Sequence, residues 1–353
     1  LYGRYPGSKG TDTGNALCRE ADVILAIGCR FADEACSSYV PGVTFSIPPT
    51  KLYQIDIDEY EIGKNYPVEL GVLADAKRPV LLAGGGVVQS GASARFRQIA
   101  EHLGMPVVAT YQAKGVLPED HPLYGRYPGS KGTDTGNALC READVILAIG
   151  CRFADEACSS YVPGVTFSIP PTKLYQVDID EYEIGKNYPV EMGVLADANA
   201  FCEALWAEIS AESADTAARQ HWEGKVADLV VPWNKKLDPG RTDRSLPLRI
   251  SAVLDIVHDA VPPDTIVLTG AGHSQAQFLQ EYTVNDASQV ISPNGFSTMG
   301  FTVPGAIGAK LAAPDRPVLG FAGDGDFLMT VQELAMAVQY GLDVIYVVVD
   351  NAG

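Results

Sequence analysis

Apolar positions along the 353 residues alternate between two rhythms. Short runs rich in Val, Ile and Leu, bounded by Gly, Pro or Asp, read as buried strands. Between them, apolar residues recur every three or four positions, the spacing of one helix face. Residues 318–353 show both. Residues 318–322 predict a strand that ends in the turn Gly323-Asp324-Gly325-Asp326. Phe327, Leu328, Val331, Leu334, Ala335 and Val338 then predict a helix over 327–340. Gly341 suits the left-handed position just past its end. Residues 344–349 are a near-continuous apolar, mostly β-branched run, the mark of a strand buried on both faces. The chain turns again at Asp350-Asn351-Ala352-Gly353.

The same alternation runs upstream. Helices are expected at 248–260, from 276 to 281 and at 304–312, with strands at 265–269 and 290–292 and a glycine-bounded loop at 295–300. Further back, a strand at 80–83 leads to Gly84-Gly85-Gly86, a helix at 92–103, a strand at 105–110, a helix at 136–142 and strands at 145–149 and 174–179. This order predicts an α/β fold with doubly wound parallel sheets. Strand–helix–strand crossovers are right-handed, so neighbouring strands run parallel and share one carboxyl edge. The strand ends after Thr269, Ile291 and Phe321 are therefore expected on one edge, where open α/β sheets bind ligands.

A repeat divides the chain. Residues 1–76 recur as 123–198, with only Ile55 against Val177 and Leu70 against Met192 differing. The expected division is a duplicated half domain at 1–76, a complete six-element domain at 77–209, a linker at 210–245 and a second doubly wound domain at 246–353. The linker reading rests on a charged stretch, 203–244, that is helical in part and then turn-rich at Asp238-Pro239-Gly240. Trp222 and Trp233 read as packing residues. The half at 79–122 is expected to pair with the second copy, to which a short connection joins it. The first copy is then the less stable part, because half a domain cannot cover its own apolar faces.

Composition narrows the partners. A net charge of −18 argues against a phosphodiester backbone. Seven cysteines, none in a CxxC spacing, suit reduced thiols in a cytoplasmic protein. No apolar run approaches membrane-spanning length, and Leu1 opens mid-pattern with no basic and apolar leader, so neither membrane insertion nor secretion is expected.

The carboxyl edge carries the candidate chemistry. Asp324 and Asn351 emerge there 27 residues apart. A carboxylate, an amide oxygen and loop carbonyls are hard ligands that suit Mg²⁺, whose remaining partners are water and phosphate oxygens. Gly323 and Gly325 let backbone N–H groups approach an anion. The pattern reads as a metal–diphosphate site. By itself a GxG turn would fit any doubly wound domain.

Gly-Asp-Gly followed at this spacing by Asn, and two residues later by a carbonyl donor, resembles the motif of thiamine-diphosphate-dependent enzymes. The acetolactate synthase family is the nearest likeness. The segments LLAGGGV, LPEDHPL, EADVILAIGCRF and DIDEYEIGKN resemble that family's middle domain, and GFSTMGF its cofactor domain. The resemblance implies that Asp324, Asn351 and the Gly353 carbonyl hold Mg²⁺ on the cofactor diphosphate. It implies that Gly270, Gly272, His273, Ser274, Gly323, Gly325, Asp326 and Asn351 line the cofactor, and that Met299 supports its bent form.

The resemblance further implies decarboxylation of a small 2-oxo acid with carboligation, within branched-chain amino acid biosynthesis. It implies a homodimer or tetramer with sites at subunit interfaces. The middle domain of this family often carries FAD, and Gly84, Gly85, Gly86, Arg152 and the Asp178–Asp180 turn stand at matching positions. Lys131 replaces the family's His in one loop, and Ala154 and Glu156 depart from another, so FAD is possible here but not expected. The catalytic Glu of the family belongs to an N-terminal domain that these residues do not match. No catalytic residue is therefore assigned, and the chain is expected to be inactive alone. A related 2-oxo acid decarboxylase or acyltransferase, or a non-catalytic nucleotide-binding module, are the competing readings.

Overall fold

The computed structural model describes residues 6, 11–27, 29, 31, 43–47, 49–56, 64, 66, 70–73, 76–154, 158–159, 162–211, 214, 216–293 and 297–350. By internal packing the chain forms two compact units, Leu1–Lys77 and Arg78–Gly353.

In the first unit, helix α1 (Asp12–Glu20) precedes strands β1 (Val23–Ile27), β2 (Lys51–Asp56) and β3 (Leu70–Leu73). The strands form a parallel sheet in the order β1-β2-β3. Thr11 caps α1 by accepting the Gly14 N–H at 3.1 Å. Ala26, Phe31, Phe45 and Leu52 form a small core.

The second unit begins with β4 (Pro79–Ala83), α2 (Gly85–Gln89), α3 (Ser93–Leu103), β5 (Val107–Ala109), α4 (Asp134–Glu142), β6 (Val145–Ile149), β7 (Lys173–Asp178), β8 (Met192–Leu195) and α5 (Ala198–Ile209). The strands form a parallel sheet in the order β5-β4-β6-β7-β8. Strand alternation sends Val80 and Leu82 to one face and Leu81 and Ala83 to the other. One face is covered by α3 and α5 through Phe96, Ile99 and Cys202, the other by Leu139, Cys140, Trp222 and Val226. Gly104, left-handed at φ 63°, ends α3.

Helix α6 (Thr216–Thr242) follows, with Pro232 and Pro239 inside it. The helical part of the 203–244 stretch is thus present, while the turn expected at 238–240 is corrected, because the helix runs through it. Each interior proline removes a backbone hydrogen bond, a cost of about 3 kcal/mol in an unsupported helix. Burial of Trp222, Val226 and Trp233, with packing against α3 and α4, offsets it. Both tryptophans are packing residues, as their sequence context suggests.

The chain continues with α7 (Ile250–Ala260), β9 (Ile266–Thr269), α8 (His273–Glu281), β10 (Val290–Ile291), α9 (Thr302–Ala312), β11 (Val318–Gly323), α10 (Asp324–Met329), α11 (Leu334–Gln339) and β12 (Ile345–Val349). Helix α7 also packs on α6. This second sheet is parallel throughout, in the order β10-β9-β11-β12. Val267, Leu319 and Phe321 pack with α7 and α8, while Ile266, Leu268 and Val318 pack with α9. The unit thus holds two parallel sheets, each covered by helices on both faces, as the α/β reading requires.

The single helix expected over 327–340 is corrected. It breaks at Thr330 (φ −135°), passes through a 3₁₀ turn at Val331–Glu333 and resumes as α11. Apolar spacing survives the break because Phe327 and Leu334 still join one cluster with Val303, Ile307 and Ala337. Cys18, Cys140, Cys151, Cys158 and Cys202 are free thiols. Among the described residues, no helix is long and apolar enough to cross a membrane.

Candidate functional site

Strand β9 lies between β10 and β11, so the chain crosses one way from β9 to β10 and the other way to β11. The crevice between β9 and β11 is a topological switch point, the place where doubly wound sheets take ligands. Thr269, the last residue of β9, pairs in register with Phe321, and Gly323 with Val349. The turns after β9 and β11 and the carboxyl end of β12 therefore lie side by side on one edge.

The glycine turns interlock there. A Cβ at Gly323 would stand 3.3 Å from Ser274 Oγ, so the turns after β9 and β11 touch. A Cβ at Gly270 would run into the Asp326 carboxylate. Gly272, at φ 107°, reverses the chain into α8 and leaves His273 exposed at the head of that helix while Ser274 is buried. Met299 comes from the loop before α9, and its Sδ lies 3.9 Å from where a Gly325 Cβ would be. It is 44% exposed, an apolar thioether facing open space beside a glycine turn.

Asp324 is half-buried at the head of α10. Gly270, Gly272, His273, Ser274, Met299, Gly323, Asp324, Gly325 and Asp326 thus belong to one edge. Asn351 and Gly353 lie outside the described residues. Among the described residues, no group of three or more His, Cys, Asp or Glu is placed to hold a metal ion. A Mg²⁺ site at this edge would therefore draw on Asp324 together with donors other than a cluster of carboxylates, thiols or imidazoles. The Thr269 hydroxyl, buried at the end of β9 with no hydrogen-bond partner among the described residues, is a polar group left over for a ligand at this crevice. The donor set and the space left by the glycines fit a metal–diphosphate group.

Sequence reasoning missed the polar ties behind this edge. Asp326 accepts the Gly300 N–H at 2.6 Å and the Thr302 hydroxyl, and Ser297 Oγ donates to Gln275 Oε1 at 3.1 Å. It also missed a buried cation behind α8. Lys114 donates to Glu119, to Tyr127 Oη at 2.6 Å and to the Leu279 carbonyl at 3.2 Å, in the last turn of α8. Burial pushes the Lys114 ammonium below its ordinary value, and Glu119 opposes that shift. A charged residue in an ordinary loop sequence gives no signal that the fold will enclose it.

The first sheet of this unit has a switch point of its own, between β4 and β6. Gly84, Gly85, Gly86 and Arg152 line a cleft there of about 560 Å³, with Asp178 and Asp180 on its wall. Gly84 and Gly86 are glycines because the Gly150 turn of β6 packs directly on them, and their N–H groups already bond the Ile149 and Gly150 carbonyls. Burial raises the Asp178 carboxyl above the usual carboxylate range. The volume and the acidic wall suit a hydroxyl-bearing nucleotide, and Arg152 is the cationic side chain on the lining.

Comparison with known proteins finds matches over both parts of the chain. Residues 1–77 and 70–205 each match the family described as "Thiamine pyrophosphate enzyme, central domain", and residues 270–353 match "Thiamine pyrophosphate enzyme, C-terminal TPP binding domain". A probable acetolactate synthase large subunit of Methanocaldococcus jannaschii is 35% identical over 322 residues, covering 84% of this chain and 52% of the relative. The acetolactate synthase isozyme 1 large subunit of Escherichia coli is 36% identical over 281 residues, covering 78% and 46%. An acetolactate synthase large subunit of Corynebacterium glutamicum is 33% identical over 280 residues, covering 79% and 44%. The chain spans about half the length of these relatives.

Proposed function

Because the chain belongs to the thiamine pyrophosphate enzyme family, we propose that its β9–β11 crevice holds thiamine diphosphate through Mg²⁺. The activity served is acetolactate-synthase-like: decarboxylation of a small 2-oxo acid and addition of the remaining unit to an acceptor carbonyl. When bound, the cofactor supplies the nucleophilic carbon and the electron sink for loss of CO₂.

Asp324, Asn351 and the Gly353 carbonyl hold the metal in this reading. The Gly270–Ser274 turn donates to the diphosphate through its backbone and through His273 and Ser274. Met299 would support the cofactor when it is bound, a task that suits a polarizable thioether. The β4–β6 cleft, with Gly84, Gly85, Gly86 and Arg152, is the proposed place for FAD. The glutamate that acts on the cofactor comes from a domain these 353 residues do not match, within a homodimeric or tetrameric cytoplasmic enzyme of branched-chain amino acid biosynthesis. The 353 residues alone are then inactive, and acetolactate formed from pyruvate by the isolated chain would refute that point.

What supports the reading is the pairing of Gly323 with Val349, which starts the Asp324 turn and the 350–353 segment at the same level of neighbouring strands. The test is titration with thiamine diphosphate, followed by protein fluorescence. Binding is expected to need Mg²⁺, and Asp324→Ala to weaken it by about tenfold or more. Binding unchanged by removal of Mg²⁺ and by the substitution overturns the metal–diphosphate site. Flavin absorbance in the purified protein tests the FAD cleft.

A further inference from the structure

Asp326 differs from its neighbours in the glycine turn. It is only 2% exposed, and both carboxylate oxygens have partners. Oδ1 accepts the Gly300 N–H at 2.6 Å, and Oδ2 accepts the hydroxyl of Thr302, itself fully buried. The space around the carboxylate is closed on a third side by Gly270, where no Cβ fits beside it. Three segments therefore meet on one side chain: the turn after β9, the loop entering α9 and the first turn of α10. Gly300 is left-handed at φ 81°, and its carbonyl accepts from Thr330 Oγ1 at 3.1 Å. The residue next to Met299 is thus held through both its N–H and its C=O by α10 and the turn that follows it.

We propose that Asp326 is a positioning residue: it does not meet the cofactor but fixes the Met299–Gly300 turn to α10, and so sets where Met299 stands over Gly325. The proposal deepens the thiamine-diphosphate reading and, for the role of Met299, rests on it. The chemistry required is an acceptor for the Gly300 N–H and a hydrogen-bonding partner for the Thr302 hydroxyl, at fixed spacing in a dry pocket. A buried N–H left without its acceptor carries a full desolvation penalty. A long flexible thioether needs such a base, because Met has three rotatable bonds and defines no position alone.

Two substitutions separate positioning from charge. In Asp326→Asn, Oδ1 still accepts the Gly300 N–H and Nδ2 donates to Thr302 Oγ1, so both ties survive without the charge. Asp326→Ala removes both. Thr302→Val removes one and serves if the alanine variant fails to fold. Hydrogen exchange of residues 299–302 reads the tie without any cofactor. The amide of Gly300 is expected to exchange about tenfold faster or more in Asp326→Ala and to stay within about threefold of the parent in Asp326→Asn. Thr302→Val falls between them. Thiamine diphosphate affinity with Mg²⁺, and the near-ultraviolet circular dichroism of the bound cofactor, are expected to follow the same order.

Unchanged exchange in Asp326→Ala overturns the tie. Faster exchange with unchanged affinity and dichroism overturns the link to Met299, leaving a structural role only. An asparagine variant as poor as alanine shows that the charge matters and overturns positioning by geometry. A parent protein that does not bind the cofactor overturns the underlying reading and the Met299 role with it, while the exchange result still decides the tie.

Discussion

Residues 1–76 and 123–198 have nearly the same sequence and do not have the same structure around them. What is local repeats closely. Helices α1 and α4 cover corresponding residues, and Thr11 and Thr133 cap them alike. Val23 pairs with Lys51 as Val145 pairs with Lys173. Gln54 Nε2 donates to the Cys29 carbonyl and Gln176 Nε2 to the Cys151 carbonyl, both at 3.0 Å. Phe31, Phe45 and Tyr66 meet edge to face, as do Phe153, Phe167 and Tyr188. What is not local differs. Leu17 is 53% exposed and its twin Leu139 is 5% exposed. Helix α4 buries Thr135, Gly136, Ala138, Leu139 and Cys140, whereas Gly14 is the buried residue of α1. The second copy has β4 beside β6 and α6 against α4. Element identity is thus carried by the repeated sequence, and burial by the residues that flank only one copy.

The widest contrast is expected from truncating the twin leucines. Leu139→Ala removes a packed side chain and leaves a cavity, for a loss of about 2–5 kcal/mol. Leu17→Ala changes an exposed position, for less than about 0.5 kcal/mol. All three tryptophans, Trp206, Trp222 and Trp233, lie in the second unit, so denaturation followed by tryptophan fluorescence reports that unit. Leu139→Ala should lower its midpoint and Leu17→Ala should not. The first copy can be followed separately by hydrogen exchange, since peptides holding Ile55 or Val177 differ by one methylene. A loss at Leu17 as large as that at Leu139 would show that the first copy has found a cover of its own.

A smaller contrast is expected at Asp144 and Asp22. The Asp144 carboxylate accepts the Arg78 N–H at 2.9 and 3.0 Å, tying the start of β6 to the start of β4. The backbone pairs at the same place, Asp144 N–H to the Arg78 carbonyl at 3.1 Å. This site is exposed, so Asp144→Ala should cost about 1 kcal/mol. Asp22→Ala, at the exposed twin, should stay within about 0.5 kcal/mol. Equal losses would mean that the carboxylate acts inside its own repeat and not across to β4.

The comparison also shows what the sequence could reveal. Strand runs such as VILAI and the Gly323–Asp326 turn were legible because a buried parallel strand must be apolar throughout and must end in a turn. The gathering of Ser274 and Asp324 at one edge followed from parallel crossovers, while Met299 was placed there by the resemblance of its segment. The break at Thr330 was not legible, because the apolar spacing continues across it while a bond to Gly300 bends the backbone. Helix α6 was hidden by Pro239-Gly240, whose local preference is overridden by buried tryptophans. The inward turn of Asp326 was hidden for a related reason. Its partners, Gly300 and Thr302, come from another loop, and nothing near Asp326 in sequence announces them.

The narrowest contrast should come from a bond made within each repeat. Thr50 Oγ1 donates to the Ala21 carbonyl at 2.7 Å, and Thr172 Oγ1 to the Ala143 carbonyl at 2.6 Å. Both threonines are buried, and neither bond involves a residue outside its own copy. Thr→Val keeps the shape and removes the donor, at a cost of about 1 kcal/mol at either position. Exchange of the β2 and β7 amides against denaturant, read on the Ile55 and Val177 peptides, should therefore give losses equal to within about 0.5 kcal/mol. That equality is expected even if the two copies unfold at different denaturant concentrations, because a local bond is lost equally from a stable and an unstable frame. A cost at Thr172 well above that at Thr50 would mean that the cover supplied by β4 and α6 reaches inside the repeat. The copies would then differ in internal rigidity as well as in burial, and the split between local structure and borrowed burial would fail.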